Sequence, residues 1–535
     1  MKSASHAVSV RPALTLLLFA FFVGLAFWLI FQASLPRYWE LALSLIAAPA
    51  GWALLRFGSI DLVDQILAPF VNSTLRTRLF LLATLLCALL LIARIVLDAF
   101  PNSGDEYAYI LQAQIYAQGR LWADEPPIAQ AFSLVQFLAK DGIWISMYQP
   151  GWAMLLAPEA WLGIPLWIVN PILAIALISA FFILSRREVS IQASWAATIA
   201  LATSAFFVLN AASYFSHIAT ALWGVLFAIF ALRYLETGDG RMAAIAGAFV
   251  GLLGITRVFN AAILICPFSI ALALTQHRRA GLFWFGLGGA PFLGLYFAFY
   301  YAVTGDPLMT LPEWYDNSGE PVGAPTLISL QYLVVRFVHL VTWTSPLLAL
   351  GFVAAFVSLA RRGRLSFVDW IAPATVIAYA FYGGHGGNQY GPRYYFEAFP
   401  FAILTIARAF DGTLFAKDGM PRSALVASAL IAHLAFQLGH LIPRLQLEHD
   451  VIVEREDLYR KVAAAKLSNA VVLIKSGTGK IQPMIARDLA RNGMRIGEAA
   501  VVYAHDLGEQ NQKTRALFPD RQFYQYEQGK LEPLN

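Results

Sequence analysis

Charge is what this sequence has least of. Asp, Glu, Lys and Arg make up 13% of its 535 residues, against 59% hydrophobic, whereas soluble domains carry about 25% charged residues. Mean hydropathy is correspondingly high at +0.61, and a soluble fold is excluded. Cysteine is nearly absent: Cys87 and Cys266 both sit inside apolar runs, where they read as small core residues rather than a disulfide. No internal repeat and no low-complexity tract is present. The apolar stretches do not alternate, which excludes a membrane β-barrel. No basic stripe is interleaved with aromatics, so nucleic acid is not an expected partner. No cluster of His, Asp and Glu has metal-ligand spacing, so no metal is expected.

What is present is a series of long apolar runs, many near the ~20 residues that a helix needs to cross a bilayer. They lie at 13–32, 38–56, 79–98, 166–185, 193–209, 214–235, 243–259, 261–275, 281–302, 343–360, 366–382, 395–410 and 423–440. The first follows Lys2 and Arg11 as a signal peptide would, but it is longer than a signal core and further spans come at once. Segments 151–163 and 328–341 read as re-entrant or interfacial helices. The expected fold is an all-α polytopic membrane protein with about thirteen transmembrane helices.

Basic residues set the orientation. With the N-terminus inside, cytoplasmic turns hold Arg56, Arg76, Arg78, Arg186, Arg187, Arg233, Arg241, Arg278, Arg279, Arg361, Arg362, Arg364, Lys417 and Arg422. The outer face then holds Arg37, Arg120, Lys140 and Arg393, with Arg336 nearby. The net charge of +5 needs no acidic partner beyond this asymmetry. The scheme predicts that the chemically capable residues converge outside. After residue 443 the composition changes. "AVVLIKSGTGK" and the residues after it read as strand, glycine turn, amphipathic helix and strand, a small α/β domain over 444–535 on the outer face. "SGTGK" (476–480) lacks the first glycine of a P-loop, where Ile474 stands, and has Ile481 for the Ser or Thr; it reads as a turn.

Two adjacent acids, Asp105 and Glu106, open a half-polar helix at the lip of the third run, in "NSGDEYAYILQAQIYAQGRLW". Acids in a first turn suit the helix dipole, and Asn102, Ser103 or Asp105 suits its cap. A carboxylate fixed over the bilayer surface also suits a general base acting on an acceptor hydroxyl or amine. Both readings stand. Arg257, between two apolar runs, either snorkels from a helix end or faces a partner or cavity, because arginine inside a span costs roughly 2.5–3.5 kcal/mol. Arg393 follows Gly391 and Pro392, and a cation is unfavourable at a helix start, whereas its fork suits phosphate. His217 opens a span and His385 lies in a glycine loop; each is a hydrogen-bonded or solvated histidine, or a substrate contact.

Three stretches resemble the C-type glycosyltransferases, in the branch of protein O-mannosyltransferases, lipid A aminoarabinose transferases and rhizobial galacturonosyltransferases. "GDEYAYILQAQIYAQGRLW" is similar to the family's first outer loop with its catalytic Asp, here Asp105. "DGIWISMYQPGWAMLLAP" (141–158) is similar to its Tyr-Pro-Pro-Gly-Trp stretch, and "NQYGPRYYFEAFPF" (388–401) to its Gly-Pro-Arg-Tyr segment. Met147 stands where the family often has a basic residue, and Gln149 replaces one proline, so no lysine is assigned to the phosphate.

The resemblance covers roughly residues 79–535. It implies a membrane domain over 79–443 with a catalytic outer loop at 100–150; the extra transmembrane helices in 1–78 depart from the family, which usually has one helix before that loop. It implies an inverting enzyme of the inner membrane with a polyprenyl-phosphate sugar as donor and an envelope glycan, lipid or protein as acceptor, on the periplasmic face. Phosphate leaves without a general acid, so the need is a base on the acceptor and cations on the phosphate. Asp105 is the expected base, with Glu106 orienting it or the acceptor. Arg257, Arg393 and Arg120 are the candidate cations, and Tyr148, Trp152, His217, Tyr394 and His385 complete the substrate site. Some relatives use a divalent metal; no cofactor is assigned here. The competing reading is a transporter or flippase of a lipid-linked glycan. It would favour internal repeats and binding groups at the bilayer midplane, and the sequence has neither.

Overall fold

The computed structural model describes residues 68–275, 279–316, 327–382, 387, 389–411, 422–475 and 488–534. The expected spans at 13–32 and 38–56, His385 and the "SGTGK" segment lie outside these residues.

The first described membrane helix, α1 (Leu75–Leu91), is capped by Thr74, whose side chain accepts from Thr77 N, and it runs into a π-turn over Ile92–Val96. Asp98 and Ala99, both at positive φ (50° and 51°), then stop it. Ser103 caps the next helix, α2 (Gly104–Ala117), by accepting from Glu106 N, which places Asp105 and Glu106 in its first turn. This helix is not simply laid on the interface. Most of one side is buried, and Gln112 is an internal tie: Nε2 donates to Leu121 O (2.8 Å) and Oε1 accepts from Ser146 N (2.9 Å). The rest of the loop up to residue 150 carries a three-stranded sheet of β1 (Ala123–Asp124), β2 (Phe137–Lys140) and β3 (Ile143–Ser146), in the order β1-β3-β2.

Segment 151–163 forms α3 (Pro150–Leu162), with proline at its first turn and Gly163 at φ 69° ending it. Its 13 residues reach about 20 Å at 1.5 Å each, short of a ~30 Å hydrocarbon core. Then come α4 (Val169–Glu188), α5 (Ile191–Ala202), α6 (Ala205–Ala212), α7 (His217–Thr237), α8 (Gly240–Thr256), α9 (Val258–Leu274) and α10 (Gly281–Thr304). Among the described residues, four helices are long and apolar enough to span: Leu75–Val96, Leu166–Glu188, His217–Thr237 and Gly281–Thr304. A fifth is made if α5 and α6, bent by 57°, are taken as one. Among the described residues, then, the expected count of about thirteen spans is not confirmed. Hydropathy windows register apolar composition but not every break that divides it, such as Thr203–Ser204 between α5 and α6 within the run at 193–209.

The run expected at 423–440 is part of α11 (Arg422–Ala464), 43 residues long. The boundary expected at 443/444 thus falls inside one continuous helix. Beyond it β4 (Ala470–Ile474), fully buried, is flanked in parallel by β5 (Val501–His505) and β6 (Gln522–Glu527), and β7 (Lys530–Leu534) closes the edge antiparallel to β6. The strand expected at "AVVLI" is the centre of this sheet. One apolar core joins the sheet to the loop at 100–150: Leu111 and Ile115 of α2, Phe132 and Trp144 pack with Val471, Leu473, Val502 and Phe523.

Candidate active site

The site is assembled around a tight turn, Ser213–Ser216, between α6 and α7. Side chains from three helices tie this turn down. Asn170 Nδ2 donates to Ser213 O and Phe215 O (both 2.7 Å), Trp152 Nε1 donates to Tyr214 O (2.8 Å), and Glu106 Oε1 accepts from Tyr214 N (3.0 Å). What these bonds fix is the ring of Phe215. The Arg393 guanidinium lies on that ring, 4.0 Å from its centre, a cation–π seat that sets the plane of the fork. The backbone of Arg393 is held as well, its N–H donating to Gly387 O and Gly391 O (both 2.8 Å). Gly391 sits at φ +96°, and a Cβ there would meet Phe206 Cδ2 at 2.7 Å, so the turn that delivers Arg393 needs glycine on both counts.

Arg393 Nη2 is ion-paired with Asp105 Oδ2. Its Nη1 is buried with no hydrogen-bond partner among the described residues. Tyr109 and Tyr148 pack ring to ring (4.7 Å) beside this pair. Burial pushes the Tyr109 phenol up to about 12, with Arg257 and Arg393 opposing and Asp105 reinforcing.

Glu397 organises the second arginine. Buried at 1% exposure, its Oε1 accepts the Thr220 hydroxyl (2.6 Å), lies within hydrogen-bond distance of His217 Nδ1 (3.1 Å) and is ion-paired with Arg257 Nε at 3.5 Å. Its Oε2 accepts from Asn260 (2.7 Å), whose Oδ1 accepts the Tyr379 hydroxyl (2.7 Å). Arg257 leaves helical geometry at φ −151°, ψ 81°, between α8 and α9, so its side chain projects from a break and is paired inside the protein. The face of Tyr394 lies 5.8 Å from that guanidinium, and Tyr394 stacks on Tyr379 at 5.2 Å.

Of the residues singled out from sequence, Asp105, Arg393, Arg257, Tyr148 and Tyr394 are brought together. Three are nearby but inward-facing. Glu106 and Trp152 hold the 213–216 turn, and His217 belongs to the Glu397 network. Arg120 is not brought in; it pairs across the surface with Asp124, four residues on. Sequence reasoning misses Glu397, Asn260, Tyr109 and Phe215. An acid within an otherwise apolar stretch, as Glu397 is in "YYFEAFPF", is the available signal. Among the described residues no group of three His, Cys, Asp or Glu is placed to hold a metal ion.

No protein-family model and no curated protein matches the sequence. Solved structures do match in fold. ArnT from Cupriavidus metallidurans bound to undecaprenyl phosphate superposes with a TM-score of 0.51 at 12% identity, covering 82% of this chain and 88% of that one. In the apo state the values are 0.53, 12%, 83% and 92%. The archaeal oligosaccharyltransferase AglB from Archaeoglobus fulgidus, in complex with an inhibitory peptide and a dolichol-phosphate, gives 0.43 at 15% identity over 70% of this chain and 56% of that one. Like the two ArnT structures, which it matches over most of its length, this chain has the C-type glycosyltransferase fold.

Proposed function

We propose that the protein is an inverting glycosyltransferase that moves a sugar from a polyprenyl-phosphate donor to a cell-envelope acceptor on the outer, periplasmic face of the inner membrane. The observation that carries this reading is the convergence of one carboxylate, Asp105, with two arginines, Arg257 and Arg393, delivered by three distant parts of the chain to one tyrosine-lined site. The acceptor oxygen attacks the anomeric carbon of the sugar as its proton passes to Asp105. The bond from that carbon to the phosphate oxygen breaks, and its electron pair leaves with the phosphate. Arg393, seated on Phe215 with Nη1 unused, and Arg257 neutralise the charge that grows on the departing phosphate. Glu106 acts through the 213–216 turn. That a protein of the same fold binds undecaprenyl phosphate supports the donor class.

The test is made in cells lacking the gene, whose envelope glycans are compared with wild type by mass spectrometry. The deletion is expected to lose one sugar, and wild-type protein to restore it. Asp105→Asn, inserted at wild-type level, is expected to leave at most about one part in a hundred of the activity, the lower bound for losing a general base. Full restoration by Asp105→Asn removes the proposed base, and no glycan difference in the deletion removes the proposed activity.

A further inference from the structure

Three stretches far apart in sequence meet at the first turn of α2. The Gly104 N–H, one of the donors a helix leaves without an internal acceptor, donates to Asp488 Oδ2 (3.1 Å). Asp488 is held in turn by Arg455 of α11 (Nη1 to Oδ2, 3.2 Å). Arg491 Nη1 donates to Pro101 O (2.8 Å), and its guanidinium lies against the rings of Phe100 (4.7 Å) and Tyr107 (5.1 Å). The Tyr107 hydroxyl donates to Asn492 O (2.7 Å). The Asn492 side chain is locked to Tyr503 of β5, accepting from its N–H (2.9 Å) and donating to its carbonyl (2.7 Å).

The chain leading to Asp105 is thus gripped at Pro101 and Gly104, and again just beyond it at Tyr107, by one run of five residues anchored to the C-terminal sheet. Asp488, Arg491 and Asn492 are all buried. The fit is close: a Cβ on Gly104 would lie 2.4 Å from Asp488 Oδ1 and 2.3 Å from Gln136 Oε1. A carboxylate at a helix N-terminus is also favoured by the helix dipole.

We infer that Asp488, Arg491 and Asn492 are positioning residues: the C-terminal segment sets the place of Asp105, and transfer requires it docked on α2. None of the three is bonded to the Arg393 or Arg257 guanidinium, and Arg393 keeps its backbone bonds to Gly387 and Gly391, so undocking moves the base more than it moves the two cations. A shift of about 1 Å in a reacting group costs on the order of a hundredfold in rate. The inference rests on Asp105 as the base for its kinetic arm, but not for its structural arm.

The test uses full-length protein in detergent and three variants, Asp488→Ala, Asp488→Asn and Arg491→Ala. Amide hydrogen exchange in 101–110 is expected to quicken in both alanine variants and to stay slow in Asp488→Asn, whose amide oxygen still accepts from Gly104. Exchange in His217–Thr237 is expected to stay at wild-type rates in all three. With donor lipid, kcat is expected to fall about 10- to 100-fold in the alanine variants, with donor KM and undecaprenyl phosphate binding within about twofold of wild type and most of the rate recovered in Asp488→Asn. Unchanged exchange in 101–110 in both alanine variants overturns the latch. So does loss of kcat together with undecaprenyl phosphate binding and faster exchange across His217–Thr237, the pattern of a general loss of fold. If Asp105→Asn keeps full activity, the base assignment falls while the exchange result still decides the latch.

Discussion

Asp105 and Glu106 are neighbours in sequence with different fates, because consecutive residues on a helix point about 100° apart. Asp105 faces Arg393, whereas Glu106 turns inward to the 213–216 turn. That an acid pair opens this helix is legible in the sequence; which acid meets an arginine is set by chain more than a hundred residues away. The same holds for Glu397, whose partners His217, Thr220, Arg257 and Asn260 all come from α7, α9 and the α8–α9 break. The two acids should separate in a pH experiment. Burial raises Glu106 to about 7 from 4.5, with the Tyr214 and Asn102 backbone and Arg393 opposing and Asp105 adding to the rise. A carboxyl raised on folding contributes stability that is whole below its unfolded value and lost as pH rises through the folded one. The wild-type melting temperature in detergent is therefore expected to fall between about pH 4.5 and 7. Glu106→Gln keeps an acceptor for Tyr214 N without ionising, and its slope across that window is expected to be shallower. Equal slopes would show that Glu106 does not titrate there. Activity in Glu106→Gln is expected to stay well above that of Asp105→Asn.

Elements were legible where a run of one composition forms one element. The apolar runs at 79–98, 166–185, 214–235 and 281–302 each correspond to a helix, and "AVVLI" is a strand. Legibility fails where direction changes within a run, as at Thr203–Ser204, or where a helix outlives the composition that announced it, as α11 does beyond Pro443. The turn at 387–393 is the case that matters for the site. Its motif residues have separable jobs: Gly391 makes the turn at φ +96° beside Phe206, Pro392 follows at φ −76°, and Arg393 takes the seat on Phe215. Gly391→Ala is therefore expected to act on Arg393 from two residues away. Left-handed strain and the overlap with Phe206 together cost about 1–3 kcal/mol, lowering the melting temperature. Undecaprenyl phosphate binding, read by native mass spectrometry, is expected to weaken in Gly391→Ala and in Arg393→Ala alike. Wild-type affinity in Gly391→Ala would mean that Arg393 reaches its place without this turn.

The loop at 100–150 and the C-terminal sheet, far apart in the chain, lie together at one end of the helices. Helix α7 begins at His217 in the site and runs 21 residues to Thr237, about 30 Å at 1.5 Å per residue. Its far end carries Arg233, and Glu236 there pairs with Arg187 of α4. The same end holds Arg408, bridging Glu188 and Asp369. Basic residues thus gather opposite Asp105, and by the asymmetry of cytoplasmic loops Asp105 is expected outside. The C-terminal sheet has no freedom to differ, since it shares a core with the loop at 100–150 and grips the start of α2. Alkaline phosphatase fused after Asn535 is therefore expected to be active, and a fluorescent protein that folds only in the cytoplasm to stay dark there. A second alkaline phosphatase fusion, after Gly238 beyond the far end of α7, is expected to be inactive. Because one core spans loop and sheet, the tail reporter also reports on Asp105. A dark phosphatase and a bright fluorescent protein after Asn535 would carry the whole site to the cytoplasmic face, and the proposed donor would have to be met there.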